Sequence, residues 1–135
     1  MRVLECSSRE DKRFSALYAQ VKAFGKEGTI ESHYQSCKRD AAGNVPSKGK
    51  PVDHIILNGR KLEARFLTQW YTLLWIKYLD LNPDLVEVLR QYDDYSDMFK
   101  GKSINCQADT IRAYMRSRSD LIASASELRG ILQSQ

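Results

Sequence analysis

The stretch from Leu62 to Asp80 constrains the fold most, because it is long, regularly spaced and rich in large apolar residues. Its apolar side chains recur at the 3.6-residue period of an α-helix, at Leu62, Phe66, Trp70, Leu73 and Leu74. Aromatic residues extend the apolar surface around the other side of that helix, at Tyr71, Trp75 and Tyr78. A helix that is apolar around most of its circumference has to be buried. The sequence therefore predicts that this helix lies in the centre of the core.

Four more helices are predicted from capping and spacing signals. Thr29 suits the N-cap of a helix that runs to about Lys38, since its hydroxyl can accept from the free N–H groups of the first turn. Asn82-Pro83-Asp84 opens another helix, and two more are expected over about Cys106–Arg118 and Leu121–Leu132. We therefore predict a mainly α fold with a minor β element, a single compact helical domain of about five helices over residues 1–135. Residues 119–135 are expected to form a peripheral C-terminal helix.

Signals for β-structure are short. Val3 to Cys6 is compatible with an edge strand, and Ile55-Ile56-Leu57 followed by Asn58-Gly59 is a hairpin signal. A simple turn into the next helix is the alternative for that second segment. Phe14, Leu17, Tyr18 and Val21 recur at helix-like spacing, and Gly25 and Gly28 end that segment. The segments Ala41–Asp53 and Asp93–Gly101 are predicted to be loops.

Composition and charge exclude several classes of protein. The longest apolar run, Tyr71 to Ile76, is interrupted by Thr72 and is far shorter than the roughly 20 residues of a membrane span, so a cytoplasmic protein is expected, in the host cytoplasm if it is phage-encoded. Three widely spaced cysteines and two histidines form no zinc pattern, and no metal or cofactor is expected. Residues 1–65 carry 13 Lys and Arg against 8 Asp and Glu, whereas residues 66–97 carry 2 against 6. This asymmetry indicates a surface that attracts anions.

Two acidic segments are candidates for chemistry. Glu31 lies at the start of a predicted helix, where it could position a water or a ribose hydroxyl, although it could also simply complement the helix dipole. Asp97 belongs to a second acidic cluster with Asp93 and Asp94. Two carboxylates brought together from separate segments are a common arrangement for cleaving a glycosidic bond, because one handles a proton while the other supports positive charge.

A basic segment precedes the first aromatic residue of the chain. Arg9, Lys12 and Arg13 come directly before Phe14-Ser15. Guanidinium groups bind phosphate with two hydrogen bonds, and an adjacent aromatic ring can stack on a base. An ordinary solvated loop is an equally good interpretation of the same residues.

Short motifs resemble the NADAR family of N-glycosidases over roughly residues 13–99. The resemblance starts with Phe14-Ser15-Ala16-Leu17-Tyr18 and continues with Thr29-Ile30-Glu31-Ser32-His33-Tyr34-Gln35, with Lys38 one turn on. The Trp70 region and Asn82-Pro83-Asp84-Leu85 follow in the same order. Ser32 separates the Glu-His pair of the family, and Asp97-Met98-Phe99 stands in place of its closing Asp-x-x-Trp-Gly element. The stretch from Phe99 to Asp109 also resembles small uncharacterised phage and bacterial proteins.

The resemblance implies a small helical protein that hydrolyses N-glycosidic bonds in riboflavin-pathway intermediates or ADP-ribosylated guanine. It implies that Glu31 is the principal catalytic carboxylate and Asp97 its weaker partner. It also implies that Phe14, Tyr34, Gln35 and Lys38 line the pocket. The basic segment adds Arg9, Arg13 and Ser15 as candidate substrate-binding residues.

Three functions remain open on the sequence. The first is an N-glycosidase acting on a nucleotide, an ADP-ribose adduct or a modified base. The second is a non-catalytic, phage-type protein that sequesters a nucleotide signal such as a cyclic ADP-ribose. The third is a nucleic-acid-binding module, which ranks last because the chain has no helix-turn-helix or aromatic RNA-binding signature. All three predict an anionic, nucleotide-like partner or a modified base, and no membrane.

Overall fold

The structure is a computed structural model that describes residues 1–97 and 105–134. Within these ranges it has six α-helices and three small β-sheets, with 46% of the residues helical and 19% in strands. The prediction of a mainly α domain of about five helices is therefore wrong, and the fold is a mixture of helices and sheets. The error has two sources. Short hairpins were predicted as helix or loop, and the segment predicted as the last helix forms two helices.

The central helix is α2, Leu67–Asp80. It is buried over most of its surface, and Trp75 and Leu79 are completely inaccessible to solvent. It begins later than the spacing predicted, because Arg60–Glu63 is a strand and Ala64–Phe66 is one turn of 3-10 helix. The other five helices of the described chain all contact this one. The predicted role of this helix as the centre of the core is confirmed.

A hairpin and a short helix make up the segment after the basic N-terminal residues. Strands β2, Gln20–Ala23, and β3, Lys26–Thr29, are antiparallel and lead directly into α1, Ile30–Ser36. The predicted helix-like spacing through Val21 is wrong, because burial alternates along β2, with Val21 and Ala23 inside and their neighbours outside. The predicted cap of α1 is confirmed, since Oγ1 of Thr29 accepts from the backbone N–H of Ser32 at 3.0 Å.

The Asn58-Gly59 hairpin is confirmed. Strands β5, His54–Leu57, and β6, Arg60–Glu63, are antiparallel, and β4, Lys38–Arg39, adds to the other edge of β5. Residues 41–53 contain no helix or strand, as predicted. This sheet continues directly from the C-terminal end of α1.

The third sheet joins the beginning and the end of the segment 1–97. Strand β1, Val3–Glu5, pairs in parallel with β7, Asp94–Ser96, with Leu4 opposite Tyr95. The predicted edge strand is confirmed, whereas the predicted loop after Asp93 contains β7. Its remaining part, including Met98 and Phe99, lies outside the described residues. Between α2 and β7 stands α3, Pro83–Leu89, which begins with the predicted proline.

Three helices complete the chain: α4, Gln107–Arg116, α5, Arg118–Ser124, and α6, Ser126–Gln133. The single helix predicted over Leu121–Leu132 is wrong, because it is divided into α5 and α6 at Ala125. Leu128 of α6 is fully buried, and its backbone N–H donates to Oε1 of Gln69 on α2 at 2.9 Å. No helix in the described part of the chain is long and apolar enough to cross a membrane.

Candidate functional site

Glu31 lies in the first turn of α1, where the chain passes close to the segment after Phe14. The backbone N–H of Glu31 donates to the carbonyl of Ala16 at 2.9 Å, and that of Ile30 donates to the carbonyl of Ala19. The Glu31 side chain is half-buried, and its Oε1 accepts from Nε2 of Gln35 one turn later at 2.7 Å. The carboxylate is therefore held in place by its own helix, with one oxygen engaged by Gln35.

The buried face of α1 presents an aromatic pair beside Glu31. The Tyr34 ring packs edge-on against the Tyr71 ring of α2, with 5.1 Å between centroids. The Lys38 ammonium lies 4.4 Å from the centroid of Tyr34, a cation–π contact. Partial burial lowers the pKa of Lys38, while the charge of Glu31 opposes this change. Lys38 is thus a partly desolvated cation within electrostatic range of the Glu31 carboxylate.

Asp97 reaches the same region from β7. It is 8% exposed, and its Oδ2 accepts from the Cys106 thiol over 3.8 Å, a long contact that is normal for sulfur. Cys106 is the N-cap residue of α4, and Asn105 beside it donates from Nδ2 to the Tyr34 hydroxyl at 2.7 Å. The start of α4 therefore contacts both the Asp97 carboxylate and the aromatic pair of Tyr34 and Tyr71.

Tyr71 is buried on α2 beside the Tyr34 ring, and its hydroxyl is sensitive to the charges of both acidic segments. Burial raises the pKa of its hydroxyl strongly, and the charges of Glu31 and Asp97 raise it further. The Trp75 indole N–H opposes this effect, although it does not reach a full hydrogen bond and has no partner in the described structure. Tyr71 is therefore a neutral phenol at any physiological pH, with one carboxylate from α1 and one from the end of β7 within electrostatic range.

Some residues predicted for substrate binding lie elsewhere or have other contacts. The Arg13 guanidinium forms two hydrogen bonds with the Asp11 carboxylate, at 2.7 and 2.9 Å. Phe14 and Ser15 are fully buried, so the Phe14 ring is a core side chain with no face open to a ligand. Arg9 is exposed, and its backbone N–H donates to Oγ of Ser7. The structure thus groups Glu31, Tyr34, Gln35, Lys38 and Asp97, and keeps Arg9, Arg13, Phe14 and Ser15 out of that group.

Three residues of this region carried no functional signal in the sequence. Tyr71 was one of many aromatic residues on a core helix, and Asn105 and Gln107 stood near the start of a predicted helix without a motif of their own. Gln107 is 8% exposed and uses both ends of its amide to bind backbone groups of distant segments. In the sequence Gln107 is only a polar residue at the start of an amphipathic helix. Its significance becomes visible when the fold shows that its amide is buried.

A concave region lies away from these residues. An open groove of about 570 Å³ is formed by the ends of the 40–53 loop, with Asp40, Pro46, Lys50 and Asp53 among its lining residues. None of the residues predicted for catalysis or binding lines it. Among the described residues, no group of three or more His, Cys, Asp or Glu side chains is arranged to hold a metal ion.

Comparison with known proteins adds no assignment. No protein-family model matches the sequence, and no curated protein matches it either.

Proposed function

We propose that the site around Tyr71 hydrolyses the N-glycosidic bond of an anionic, ribonucleotide-like molecule. The observation that carries the proposal is the start of α4, where Asn105 donates to the hydroxyl of Tyr34 on the helix of Glu31 and the Cys106 thiol contacts the Asp97 carboxylate. Paired carboxylates are the groups that glycosidic cleavage uses most often. The motif resemblance to the NADAR family, which assigns Glu31 and Asp97 the same roles, supports it independently.

Glu31 is the proposed principal catalytic carboxylate. Cleavage of a bond between C1′ and a base nitrogen builds positive charge on the ribose, and a fixed carboxylate stabilises that charge where water is excluded. Gln35 holds Oε1 of Glu31, so the carboxylate is oriented before a substrate arrives. Asp97 is the proposed weaker partner, which supports the departing base or its proton.

Lys38 is the proposed anion-binding group. An ammonium that is partly buried has lost part of its hydration, and a phosphate oxygen can replace the missing water. Its contact with the Tyr34 ring fixes the side chain over the aromatic pair. Three buried free thiols also fit the reducing conditions of a cytoplasm, which we propose as the compartment.

The test is release of free base from a panel of ribonucleotides and ADP-ribosylated guanine, detected by chromatography with mass spectrometry. We expect Glu31→Gln to lower turnover by about 10²-fold or more, and Asp97→Asn to have a smaller effect. Glu27→Gln is the matched control, because Glu27 is an exposed carboxylate on β3. A folded Glu31→Gln protein with unchanged turnover would refute the proposal.

Sequestration of a nucleotide is the second candidate, and one observation favours it. Asp97 is almost completely buried and engaged by the Cys106 thiol, an environment that suits a fixed binding wall as well as a catalytic group. In this case the protein would return the ligand intact, at one molecule per chain and with no free base. Product analysis in the same panel separates the two functions.

A further inference from the structure

We infer that Gln107 is a positioning residue that sets the separation between the segment bearing Glu31 and the segment bearing Asp97. Its importance for turnover rests on the proposed function, whereas its role in holding the two segments is a property of the protein alone. Gln107 is the first residue of α4 and lies between the two segments in space. Each end of its amide is connected, through two successive hydrogen bonds, to the backbone of the segment that bears one of the two carboxylates.

The oxygen end of the amide leads to Glu31. Oε1 of Gln107 accepts from the backbone N–H of Ala16 at 2.7 Å, and Ala16 is itself buried. The carbonyl of the same Ala16 accepts from the backbone N–H of Glu31 at 2.9 Å. The first turn of α1, which carries the Glu31 side chain, therefore rests on a residue whose backbone N–H is held by Gln107.

The nitrogen end of the amide leads to Asp97. Nε2 of Gln107 donates to the carbonyl of Cys6 at 2.7 Å. The backbone N–H of Cys6 in turn donates to the carbonyl of Ser96 at 2.7 Å, and Asp97 is the next residue. A hydrogen bond between the β1 and β7 segments, at the residue before Asp97, is thus attached to the same side chain.

Only a primary amide fits this position. Ala16 presents a donor and Cys6 presents an acceptor, so one side chain must offer an acceptor and a donor about as far apart as Oε1 and Nε2. The two partners also fix which end of the amide is which, so the orientation does not depend on an arbitrary choice between oxygen and nitrogen. A carboxylate at this position would satisfy Ala16 but repel the Cys6 carbonyl, and a thioether would satisfy neither.

The first test measures amide hydrogen exchange without substrate. In Gln107→Met we expect the amides of Ala16, Glu31 and Cys6 to exchange about tenfold faster relative to those of α2, because each loses a direct or relayed support. Gln91→Met is the matched control, since Gln91 is exposed and its amide makes one long 3.5 Å contact. Equal acceleration throughout the protein, or none at these three amides, would overturn the inference.

A second variant keeps the test decisive if Gln107→Met does not fold. Gln107→Glu retains the acceptor for Ala16 and loses the donor for Cys6, so the amide of Cys6 should lose protection while those of Ala16 and Glu31 keep theirs. Loss of exchange protection at all three amides would contradict the inference that the two ends of the Gln107 amide support the two segments independently.

Turnover of whichever panel compound wild type cleaves gives the functional readout. Both ends of the Gln107 amide bind the protein, so they are not available to bind the substrate. We therefore expect substitution of Gln107 to lower kcat by about tenfold or more and to leave KM within about twofold of the wild-type value. An unchanged kcat despite local loss of protection would overturn the role in turnover. If wild type cleaves nothing in the panel, the proposed function fails, and the exchange experiment alone decides whether Gln107 holds the two segments.

Discussion

Gly28 gives the sharpest test of how α1 is placed, because the first turn of that helix passes directly over it. A Cβ at position 28 would lie 2.8 Å from Oγ of Ser32 and 3.1 Å from Nε2 of His33. Both atoms already make hydrogen bonds, from Ser32 to the carbonyl of Thr29 at 2.9 Å and between His33 and the carbonyl of Val21 at 2.8 Å. Gly28→Ala therefore forces two hydrogen-bonded side chains of α1 to move.

The size of the effect follows from these contacts. Each neutral hydrogen bond contributes about 1 kcal/mol to stability. Replacing glycine by alanine recovers about 0.4–1 kcal/mol, because the unfolded chain loses conformational freedom. Gly28→Ala should therefore reduce the free energy of unfolding by about 1 kcal/mol, which corresponds to a fall in Tm of roughly 3–5 °C for a chain of this size.

Gly130→Ala is the matched control for this measurement. Gly130 lies inside α6, and a Cβ there would meet nothing within 4 Å. The substitution should raise the free energy of unfolding by up to about 1 kcal/mol, because alanine favours a helix over glycine by that amount. Urea denaturation of both variants gives the comparison. Equal stabilisation by both would mean that α1 does not approach β3 as closely as the structure has it.

Three further predictions concern burial and charge. Burial raises the pKa of the Cys6 thiol to about 12 and that of Cys37 to about 11. Iodoacetamide at pH 8 should therefore modify neither thiol until the protein unfolds, and rapid stoichiometric alkylation of either one would contradict this. The Arg118 guanidinium lowers the pKa of Asp80, so the stability that this pair contributes is present above the ordinary carboxyl pKa of about 4 and is lost as the pH falls through the lower folded-state pKa. Asp80→Asn should therefore destabilise the protein at pH 7 and have a smaller effect as the pH falls below about 4, and an effect independent of pH would exclude the pair as its cause. Phe14→Ala should cost about 3–5 kcal/mol in chemical denaturation, because the ring is fully buried, and a cost below 1 kcal/mol would place that ring outside the core.

Local signals in the sequence were sufficient where the structure is decided by a few adjacent residues. Thr29 caps α1 because its hydroxyl and the free N–H groups are only three residues apart. Asn58 and Gly59 form the turn of the β5–β6 hairpin because both adopt positive φ, 51° and 79°, which Asn and Gly tolerate. These features need no information about the rest of the fold.

The β2–β3 hairpin was missed because its turn breaks the local rule. Phe24 occupies the first turn position at a φ of 52°, a conformation that is unfavourable for a large aromatic residue. Its ring lies parallel to the Trp70 ring of α2, with 5.5 Å between centroids, so a contact with a distant helix compensates for the strained backbone. Tertiary packing of this kind leaves no mark in a window of neighbouring residues.

The candidate site shows the same division between local and long-range information. The motif that begins at Thr29 pointed to Glu31, Tyr34 and Gln35 on α1 and to Lys38 at the start of β4, all within one short stretch of the sequence. Only the fold could reveal that the Asp97 carboxylate contacts the Cys106 thiol, next to the Asn105 amide that binds Tyr34. The prediction for Phe14 took an aromatic residue beside basic ones as a stacking platform, whereas complete burial makes the ring part of the core.

A crystal structure of Glu31→Gln soaked with ADP-ribose will show whether Glu31 and Asp97 act on one ligand. We expect the ribose C1′ to lie about 3.5 Å from the side chain at position 31, with Asp97 on the far side and Lys38 near a phosphate. ADP-ribose bound in the groove of the 40–53 loop instead, with the Tyr71 region empty, would refute a joint role of the two carboxylates.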